Sequence, residues 1–367
     1  MKILFVTQNY YPSKGGMAES CRRIVGNLRK NKLTIHIFHF NSKTETCFFR
    51  TENSGSYMSV PIYRTEEYTL NIAAKYLETV SDKIEFDVIV AFGGYLPLTW
   101  VPIISKYNSK PYYTFIRGND FDEFIFSKKR EILFYALQNS TAICCVCKEK
   151  QIKIKKLFPK VEVFYTPNGI DSSKWILSPK EQEKVTILKE KSLGRKIILL
   201  AGQLKFKKGI AGFIDSFQTF PYNQEYEIWL VGDISASLQE YLASTKILYQ
   251  IFSFATKEEI KQYYAAVDIV CIPSLYDGMP NVLLESAASK KMVIASDTGG
   301  MPDVIENKVS GLLYNPLKPN ALLEVLLHYQ FLKEEDRLKM IDSLHQTVKE
   351  NFTEKKELNN YLNIIQK

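Results

Sequence analysis

The chain has 367 residues, a length that suits two domains of about 150–200 residues better than one. Its composition, 46% hydrophobic and 24% charged, excludes an extensively disordered protein. The formal net charge of +8 is uneven, since residues 1–170 contain 24 Lys and Arg against 15 Asp and Glu, whereas the remainder is nearly balanced. This excess indicates an anionic partner for the first half, such as a membrane surface or a lipid-linked phosphate, or simply a solvated lysine-rich surface.

Several protein classes are disfavoured by what the sequence lacks. The longest apolar runs, KIILLAG and DVIVAFGG, are far shorter than the roughly 20 residues of a spanning helix, and MKILFVTQ reads as a first strand rather than a signal peptide. We therefore expect a cytoplasmic protein. Cys144, Cys145 and Cys147 are predicted to be reduced buried thiols, because a zinc site would need a second Cys or His pair at a suitable spacing. No zinc-finger, helix-turn-helix or RNP pattern is visible, so we predict no nucleic-acid partner.

Strands and helices are predicted to alternate along the first half of the chain. Strands are expected at KILFVTQ, LTIHIFHF, FDVIVAFGG, PYYTFIRG and TAICCVC. Helices are expected near residues 17–30, 70–80, 96–107 and 129–138. Strict alternation of this kind predicts a parallel sheet with helices on both faces.

A second alternation follows a break in the pattern. YTPNGIDSSKW (165–175) is rich in turn-forming residues, and the charged stretch 176–195 contains no predicted strand. Strands are then expected at KIILLAG, YEIWLVGD, DIVCIPS and MVIASD, and helices near 209–218, 257–266, 281–289 and beyond 319. The sequence therefore predicts an α/β protein with two doubly wound domains that meet near 168–190.

Five polar or glycine-rich loops follow predicted strands. They are QNYYPSKGGMAES, RGND, GQLKFKKG, SLYDGMPN and DTGGMPD. Ligands of open parallel sheets bind beyond the carboxyl ends of the strands. Because the loops come from both domains, we expect them to line one cleft between the domains.

The stretch SLYDGMPNVLLESAA (274–288) places two acids on either side of a predicted helix start. Asn281 is a good N-cap, so the helix is predicted to begin at Val282 with unpaired N–H groups suited to a phosphate. Asp277 and Glu285 flank this point and could accept hydrogen bonds from two sugars, as in a nucleotide sugar. The alternative is that Glu285 interacts with the helix dipole and Asp277 caps its own turn.

Glycines and lysines in other loops support a phosphate ligand. Gly15 and Gly16, between the first strand and a helix, permit close backbone approach, but they do not form the GxGxxG pattern of a dinucleotide site. The loop GQLKFKKG brings Lys208 to a strand end, where a lysine can neutralise a diphosphate leaving group. On a loop, lysines are also commonly just solvated.

Together these stretches resemble the retaining glycosyltransferases of family four, which have the GT-B fold of two Rossmann-like doubly wound parallel-sheet domains facing across a cleft. The similarity rests on YYPSKGG, TPNGID, GQLKFKKG and, most specifically, residues 264–305. It implies an acceptor-binding domain at 1–170 and a nucleotide-sugar-binding domain at 171–352. It also implies that a final helix at 353–366 packs back on the first domain.

The resemblance assigns expected roles to side chains. Glu285 matches the second acid of the family's E-x7-E motif, which binds the donor ribose. Asp277 stands where the first Glu usually holds hydroxyls of the transferred sugar. Lys208 matches the family's diphosphate lysine, and these three residues would form the centre of the donor site.

The same resemblance assigns roles to backbone groups. The N–H groups of Gly278 and Met279 would assist at the transferred sugar, and those of Val282 and Leu283, after Asn281, would hold the α-phosphate. Further donor contacts are expected from Gly15, from Gly16 at the β-phosphate and from the backbone of Phe254 at the base.

Three positions depart from the family pattern. Asp277 is one methylene shorter than Glu and reaches roughly 1.3–1.5 Å less far. Gln203 replaces an Arg that usually pairs with the diphosphate lysine. Arg117, in RGND, replaces the commoner His; it would return the missing positive charge, unless Asp120 holds it in a local salt bridge. Asp277, Lys208, Arg117 and Asp120 are the predicted catalytic residues.

The implied reaction transfers a hexose from a UDP- or GDP-sugar to a hydroxyl of a glycan or lipid-linked acceptor, as in surface polysaccharide or glycoconjugate biosynthesis. The resemblance implies a retaining, metal-independent reaction, with no cofactor and no assigned nucleophile. The basic first domain suggests peripheral association with the inner membrane face. The departures at Asp277 and Gln203 leave an alternative: a non-catalytic nucleotide-sugar-binding partner subunit of an active transferase.

Overall fold

The computed structural model describes residues 1–13, 15–253 and 256–366, and the chain divides into two compact units. Unit 1 comprises Met1–Asn168 and Lys355–Lys367, and unit 2 comprises Gly169–Glu354. The corresponding boundary predicted from the sequence is residue 170, and the predicted returning segment is 353–366. Each unit is built around its own sheet, as expected of a chain of this length.

Within its described residues, unit 1 contains an eight-stranded sheet in the order β3-β4-β2-β1-β5-β6-β7-β8. Strands β1 to β8 span Lys2–Thr7, Thr34–Asn41, Phe48–Glu52, Gly55–Pro61, Val88–Phe92, Tyr112–Ile116, Ala142–Cys145 and Glu162–Tyr165. Helices α1 to α6 span Gly16–Lys30, Glu66–Thr79, Tyr95–Asn108, Asn119–Asp122, Arg130–Gln138 and Lys148–Leu157. All neighbouring strands pair in parallel except β3 and β4, which form an antiparallel hairpin at the edge of the sheet.

Strand β1 is apolar at nearly every position because both of its faces are buried. Ile3 and Phe5 belong to one hydrophobic cluster of unit 1, and Leu4 and Val6 belong to another. Because successive side chains of a strand point to opposite faces, these clusters lie on the two faces of the sheet. A central parallel strand is buried on both faces and therefore lacks polar alternation.

Unit 2 contains, in the part that the structure describes, a six-stranded parallel sheet in the order β11-β10-β9-β12-β13-β14. Strands β9 to β14 span Lys196–Leu204, Tyr226–Ile234, Tyr249–Phe252, Ile269–Ile272, Met292–Ser296 and Leu312–Tyr314. Helices α7 to α14 span Pro179–Glu190, Ile210–Gln218, Ala236–Ala243, Lys257–Ala266, Asn281–Ala288, Met301–Val304, Ala321–Phe331 and Glu334–Asn351. The charged stretch 176–195 contains helix α7, which begins at a capping box formed by Ser178 and Glu181.

Helix α15 (Glu354–Ile365) ends the described chain and packs on unit 1. Its residues Tyr361, Ile364 and Ile365 belong to the same cluster as Ile3 of β1. The ring of Tyr361 stacks on Phe115 of β6, with centroids 4.6 Å apart and planes inclined by 16°. Burial of these large side chains, each worth about 1.5–3 kcal/mol, makes the helix part of the core of unit 1.

Candidate functional site

Three loops at the carboxyl ends of strands pack together in unit 2. The loop after β9 approaches the segment after β12, because the Leu275 N–H donates to the Lys207 carbonyl at 2.8 Å. The turn at Gly278 accepts a hydrogen bond of 2.6 Å from the Gly300 N–H, in the loop after β13. Strands β9, β12 and β13 are neighbours in the sheet, and their parallel direction places these loops side by side.

Gly209 permits the closest of these approaches. It has φ of +65°, and a Cβ built on it would lie 2.0 Å from the carbonyl oxygen of Pro273. No side chain fits there without moving the backbone of one loop. Gly209 thus fixes the position of Lys208, the residue before it.

We expect Gly209→Ala to destabilise the protein by about 1–3 kcal/mol, because Ala at positive φ is strained and its Cβ meets backbone. Gly212→Ala, in α8, is the matched control: a Cβ there has nothing within 4 Å. Ala is the better helix former, so this control should be neutral or up to about 1 kcal/mol more stable. Urea unfolding measures both variants, and equal stabilities would contradict the assigned role of Gly209.

Lys208 and Asp277 form an ion pair where these loops meet. The Lys208 Nζ contacts Asp277 Oδ2, and the two side chains are only 20% and 14% exposed. The Ser274 hydroxyl donates to the same carboxylate oxygen at 3.4 Å. Burial by itself would raise the pKa of Asp277, but the charge and hydrogen bond of Lys208, aided by Lys207, hold that pKa below its ordinary value. Asp277 is therefore an anion held by a cation.

The tip preceding helix α11 differs from its predicted form in three ways. The helix begins at Asn281 rather than Val282, and Pro280, which has no side chain for capping, stands in the N-cap position. The Leu283 N–H, expected to bind phosphate, donates to the Pro280 carbonyl at 3.1 Å, because the earlier start makes Leu283 the third helical residue. The Gly278 N–H donates to Asp277 Oδ1 at 2.9 Å, since that carboxylate folds back on its own turn.

Glu285 lies one turn into α11 and is half-buried. Its Oε2 accepts a hydrogen bond of 2.8 Å from the hydroxyl of Tyr264, a fully buried residue of α10. Burial and the neighbouring Glu285 carboxylate both raise the pKa of Tyr264, which keeps the phenol a hydrogen-bond donor. The ring of Trp175 packs edge-on to Tyr264 at 5.5 Å. The Tyr264 hydroxyl thus orients the Glu285 carboxylate, and Trp175 packs against the Tyr264 ring.

Val282 and Gln203 complete the predicted group in unit 2. Val282 lines a cavity of about 20 Å³ together with Lys208, Ser274 and Pro280. A Cβ on Gly202 would approach Val282 Cγ2 to 3.9 Å, so the end of β9 lies beside the start of α11. The structure therefore brings together Lys208, Asp277, Gly278 and Val282, with the half-buried Gln203 next to Gly202. Phe254, predicted at the base, lies outside the described residues.

The predicted residues of unit 1 occupy two loops at the ends of β1 and β6. Gly15 precedes α1 with φ of +115°, and Gly16 is the first residue of that helix. The positive φ explains why glycine stands at residue 15. Their roles toward a diphosphate stay predictions.

Arg117 and Asp120 do not form the salt bridge that the sequence left open. Both Asp120 oxygens accept the Arg117 backbone N–H at 2.9–3.0 Å, and Oδ1 also accepts the Gly118 N–H at 2.7 Å. The Arg117 guanidinium instead donates to the Tyr361 hydroxyl at 2.8 Å and to Asn168 Oδ1. The carboxylate sits at the start of α4, where backbone donors outnumber acceptors, and this determines its partners.

Asp120 should make stability depend on pH. Burial raises its pKa from 3.8 to about 6, although the Arg117 and Gly118 N–H groups oppose this. The folded protein then holds this proton more tightly than the unfolded chain, so the stability that the Asp120 proton contributes is present below about pH 4 and is lost as the pH rises through about 6. Asp120→Asn keeps an oxygen for both N–H groups but lacks the charge.

We expect the free energy of unfolding of Asp120→Asn to rise relative to wild type by about 2–2.5 kcal/mol between pH 4 and pH 7. Parallel urea titrations at each pH measure this difference. A difference that does not change with pH would contradict the raised pKa.

A buried polar network extends from Arg117 to helix α15. Asn168 Oδ1 also accepts a hydrogen bond of 3.1 Å from Arg23 of α1, and Arg23 forms a two-pronged ion pair with Glu357 at 2.8 and 2.9 Å. The Arg23 and Glu357 side chains are 7% and 2% exposed. Sequence reasoning missed Asn168, Tyr361, Tyr264 and this ion pair. Asn168 lies in TPNGID and Tyr264 begins the stretch 264–305, so these two motifs contained the available signal.

The described residues provide neither a metal-binding cluster nor a helix suited to a bilayer. Among them, no group of three or more His, Cys, Asp or Glu side chains is arranged to hold a metal ion. Over the same part of the chain, none of the helices has the length and apolar character needed to cross a bilayer.

Comparison with known families gives a match in unit 2. Residues 182–344 match the model of the family described as glycosyl transferases group 1. This match supports the glycosyltransferase superfamily that the motifs predict. The matched segment contains Lys208, Asp277 and Glu285.

A curated relative matches about half of the chain. The UDP-Gal:alpha-D-GlcNAc-diphosphoundecaprenol alpha-1,3-galactosyltransferase of Escherichia coli is 24% identical over 192 residues, which are 49% of each protein. The chain spans between about a third and 62% of the length of the first curated relatives that it matches.

Solved structures match the whole chain. Sucrose-phosphate synthase from Thermosynechococcus elongatus has a TM-score of 0.83 at 14% identity, covering 100% of this chain and 98% of that one. Anabaena Alr3699/HepE, in complex with UDP-glucose, has a TM-score of 0.79 at 17% identity, covering 100% and 99%. At this identity the likeness establishes the fold, and it confirms the predicted GT-B class with two Rossmann-like parallel-sheet domains.

Proposed function

We propose that the protein is a retaining glycosyltransferase that transfers a hexose from a nucleoside-diphosphate sugar to a hydroxyl of a glycan or lipid-linked acceptor. The ion pair between Lys208 and Asp277 at the tip before α11 carries the proposal. It presents a cation for phosphate and an anion for sugar hydroxyls within one hydrogen bond of each other. The family match over residues 182–344 and the UDP-glucose complex of a neighbour support this choice of donor.

In the proposed reaction, the side chains of unit 2 bind and polarise the donor. The Lys208 ammonium and the start of α11 stabilise the charge that develops on the departing diphosphate. Asp277 orients the transferred sugar, and Glu285, oriented by Tyr264, accepts hydrogen bonds from the ribose. We assign no nucleophile, no metal and no cofactor. Front-face attack by the acceptor hydroxyl, with its proton passing to the leaving phosphate, retains the anomeric configuration.

The acceptor side of the proposal places unit 1 at an anionic membrane surface. Residues 123–160 contain nine Lys and Arg against three Glu. The outer face of α6 combines Ile152, 54% exposed, with the exposed Lys155 and Lys156. Apolar and basic residues at helical spacing suit lipid headgroups, and the E. coli relative's name includes a diphosphoundecaprenol acceptor. This fits a role in surface polysaccharide or glycoconjugate assembly.

Donor screening tests the proposed function. Thermal stabilisation across UDP-, GDP- and ADP-sugars identifies the donor, because a ligand bound only by the folded state raises Tm. The stabilising sugar is then incubated with membrane extracts that contain acceptors, and the anomeric configuration of the product is determined. Absence of both stabilisation and transfer for every donor would refute the proposal.

Vesicle binding tests the membrane component separately. We expect the protein to sediment with vesicles that contain phosphatidylglycerol and not with pure phosphatidylcholine, and we expect Lys155→Glu/Lys156→Glu to abolish sedimentation. Equal sedimentation of the double variant would exclude this face of α6.

A second candidate is a non-catalytic subunit that binds a nucleotide sugar for an active transferase. The shorter acid at Asp277 reduces the reach of the donor site and the neutral Gln203 removes a positive charge from it, and both departures favour this candidate. Calorimetric binding of a donor without turnover would support this candidate. Loss of turnover in Asp277→Ala, with nucleotide affinity retained, would exclude it.

A further inference from the structure

We propose that Asp277 is a specificity residue that favours an intact nucleotide sugar over the corresponding nucleoside diphosphate, and so favours substrate over product. This inference rests on the proposed function. It concerns which ligand the Lys208–Asp277 pair accepts, rather than the transfer step itself.

The geometry places Asp277 beside any phosphate that Lys208 binds. The Lys208 ammonium already holds Asp277 Oδ2, and both side chains are largely buried. A lysine ammonium has three N–H donors, so it can hold a carboxylate and a phosphate oxygen at once. With each hydrogen bond about 2.9 Å long, those two oxygens lie no more than about 6 Å apart. A phosphate that binds Lys208 is therefore placed close to the Asp277 anion.

Asp277 is well fixed in that position. Its Oδ1 accepts the Gly278 N–H at 2.9 Å, and its Oδ2 accepts the Ser274 hydroxyl as well as Lys208. The backbone of Asp277 also packs closely against Gly299, where a Cβ would lie 2.3 Å from the Asp277 carbonyl oxygen. The carboxylate cannot move far from an incoming anion, and its lowered pKa keeps it ionised near neutral pH.

The two ligands differ at the atom that faces Asp277. A nucleoside diphosphate ends in a terminal phosphate whose second ionisation has a pKa of about 6, so near pH 7 it carries extra negative charge there. In a nucleotide sugar the same oxygen is esterified, and the attached sugar presents hydroxyl donors. Asp277 repels the first ligand and accepts hydrogen bonds from the second.

Calorimetry on the full chain with UDP and UDP-glucose tests the proposal. Asp277→Asn keeps an oxygen for the Gly278 N–H but removes the charge. We expect UDP to bind this variant more tightly than it binds wild type, and we expect the Kd ratio of UDP to UDP-glucose to fall by about tenfold or more. Glu324→Gln is the matched control: Glu324 forms a surface ion pair with Lys318 in unit 2, so the change in net charge is the same. Its ratio should equal that of wild type.

Each result is decisive. An unchanged ratio in Asp277→Asn, or weaker UDP binding, overturns the inference while leaving the proposed function intact. If the Asn variant melts well below wild type, Asp277→Ser, which is smaller, takes its place with the same expectation. If neither UDP compound binds wild type, the GDP and ADP pairs replace them. Failure of all three pairs overturns the proposed function and this inference together.

Discussion

Lys208→Met should reduce kcat/KM for sugar transfer by about 10²- to 10³-fold, equivalent to about 3–4 kcal/mol of transition-state stabilisation. In the proposed reaction, charge develops on the diphosphate as the glycosidic bond breaks, and Lys208 is paired with Asp277 at the start of α11. Gln203, where the resemblance leads us to expect an arginine, is neutral. Methionine keeps the length of the side chain, so packing is largely preserved.

The reduction should appear mainly in kcat, because the interaction strengthens as the leaving group becomes charged. Lys205→Met provides the matched control: Lys205 lies on the same loop but is exposed, and its loss should change kcat/KM by less than about threefold. Initial rates with the donor found by thermal screening measure both variants. Comparable rates for Lys208→Met and wild type would remove Lys208 from the mechanism.

Arg23→Met should lower the free energy of unfolding by about 3–5 kcal/mol, because it leaves Glu357 charged, buried and without its two-pronged partner. It also removes a donor from Asn168, which holds the Arg117 guanidinium. Helix α15 is the element that loses its anchor. Urea unfolding gives the stability, and hydrogen exchange of the α15 amides shows where the protein opens first.

Arg23→Met/Glu357→Leu should recover most of the lost stability, because replacing both members of a buried pair by apolar residues is often neutral. Glu85→Gln is the control for an exposed pair, since its partner Lys2 lies on the surface and the change should be undetectable. If the double variant is no more stable than Arg23→Met, the cost does not come from an uncompensated charge.

Much of the fold could be predicted because central parallel strands are apolar at every position. KILFVT of β1 and IVCI of β12 are such runs, and both are central strands of their sheets. The β3–β4 hairpin was missed since β3 lies at an edge of the sheet and is half exposed. Its residues FFRTE contain no continuous apolar run, so nothing distinguishes them from a loop.

The sequence predicts which loops form the candidate site, but it does not predict the hydrogen bonds within them. Lys208 and Asp277 each follow a predicted strand, and the carboxyl ends of parallel strands lie at one edge of a sheet, so a single sequence is enough to place both residues at that edge. The hydrogen-bond partners of the N–H groups at the start of α11 could not be predicted, because they change when the helix begins one residue earlier or later. Helix α11 begins at Asn281, with Pro280 in the N-cap position, and the Leu283 N–H therefore donates to the Pro280 carbonyl.

The buried network of unit 1 could not be predicted from the sequence. Arg23 and Glu357 are 334 positions apart, and no local pattern connects them. Polar residues on amphipathic helices ordinarily face water, so both would be assigned to the surface. Burial of the pair follows from the return of α15 to the first unit.

That return also affects synthesis. Residues 169–354, which are 186 positions, leave the ribosome between the first segment of unit 1 and its last. At about 5–20 residues per second, roughly 10–40 s pass before the completing helix emerges. Phe115 and its neighbours lack their Tyr361 cover during this interval, while the second unit can already fold around its own sheet. Until that helix emerges, the nascent chain exposes apolar surface of unit 1, which is the kind of surface that chaperones bind.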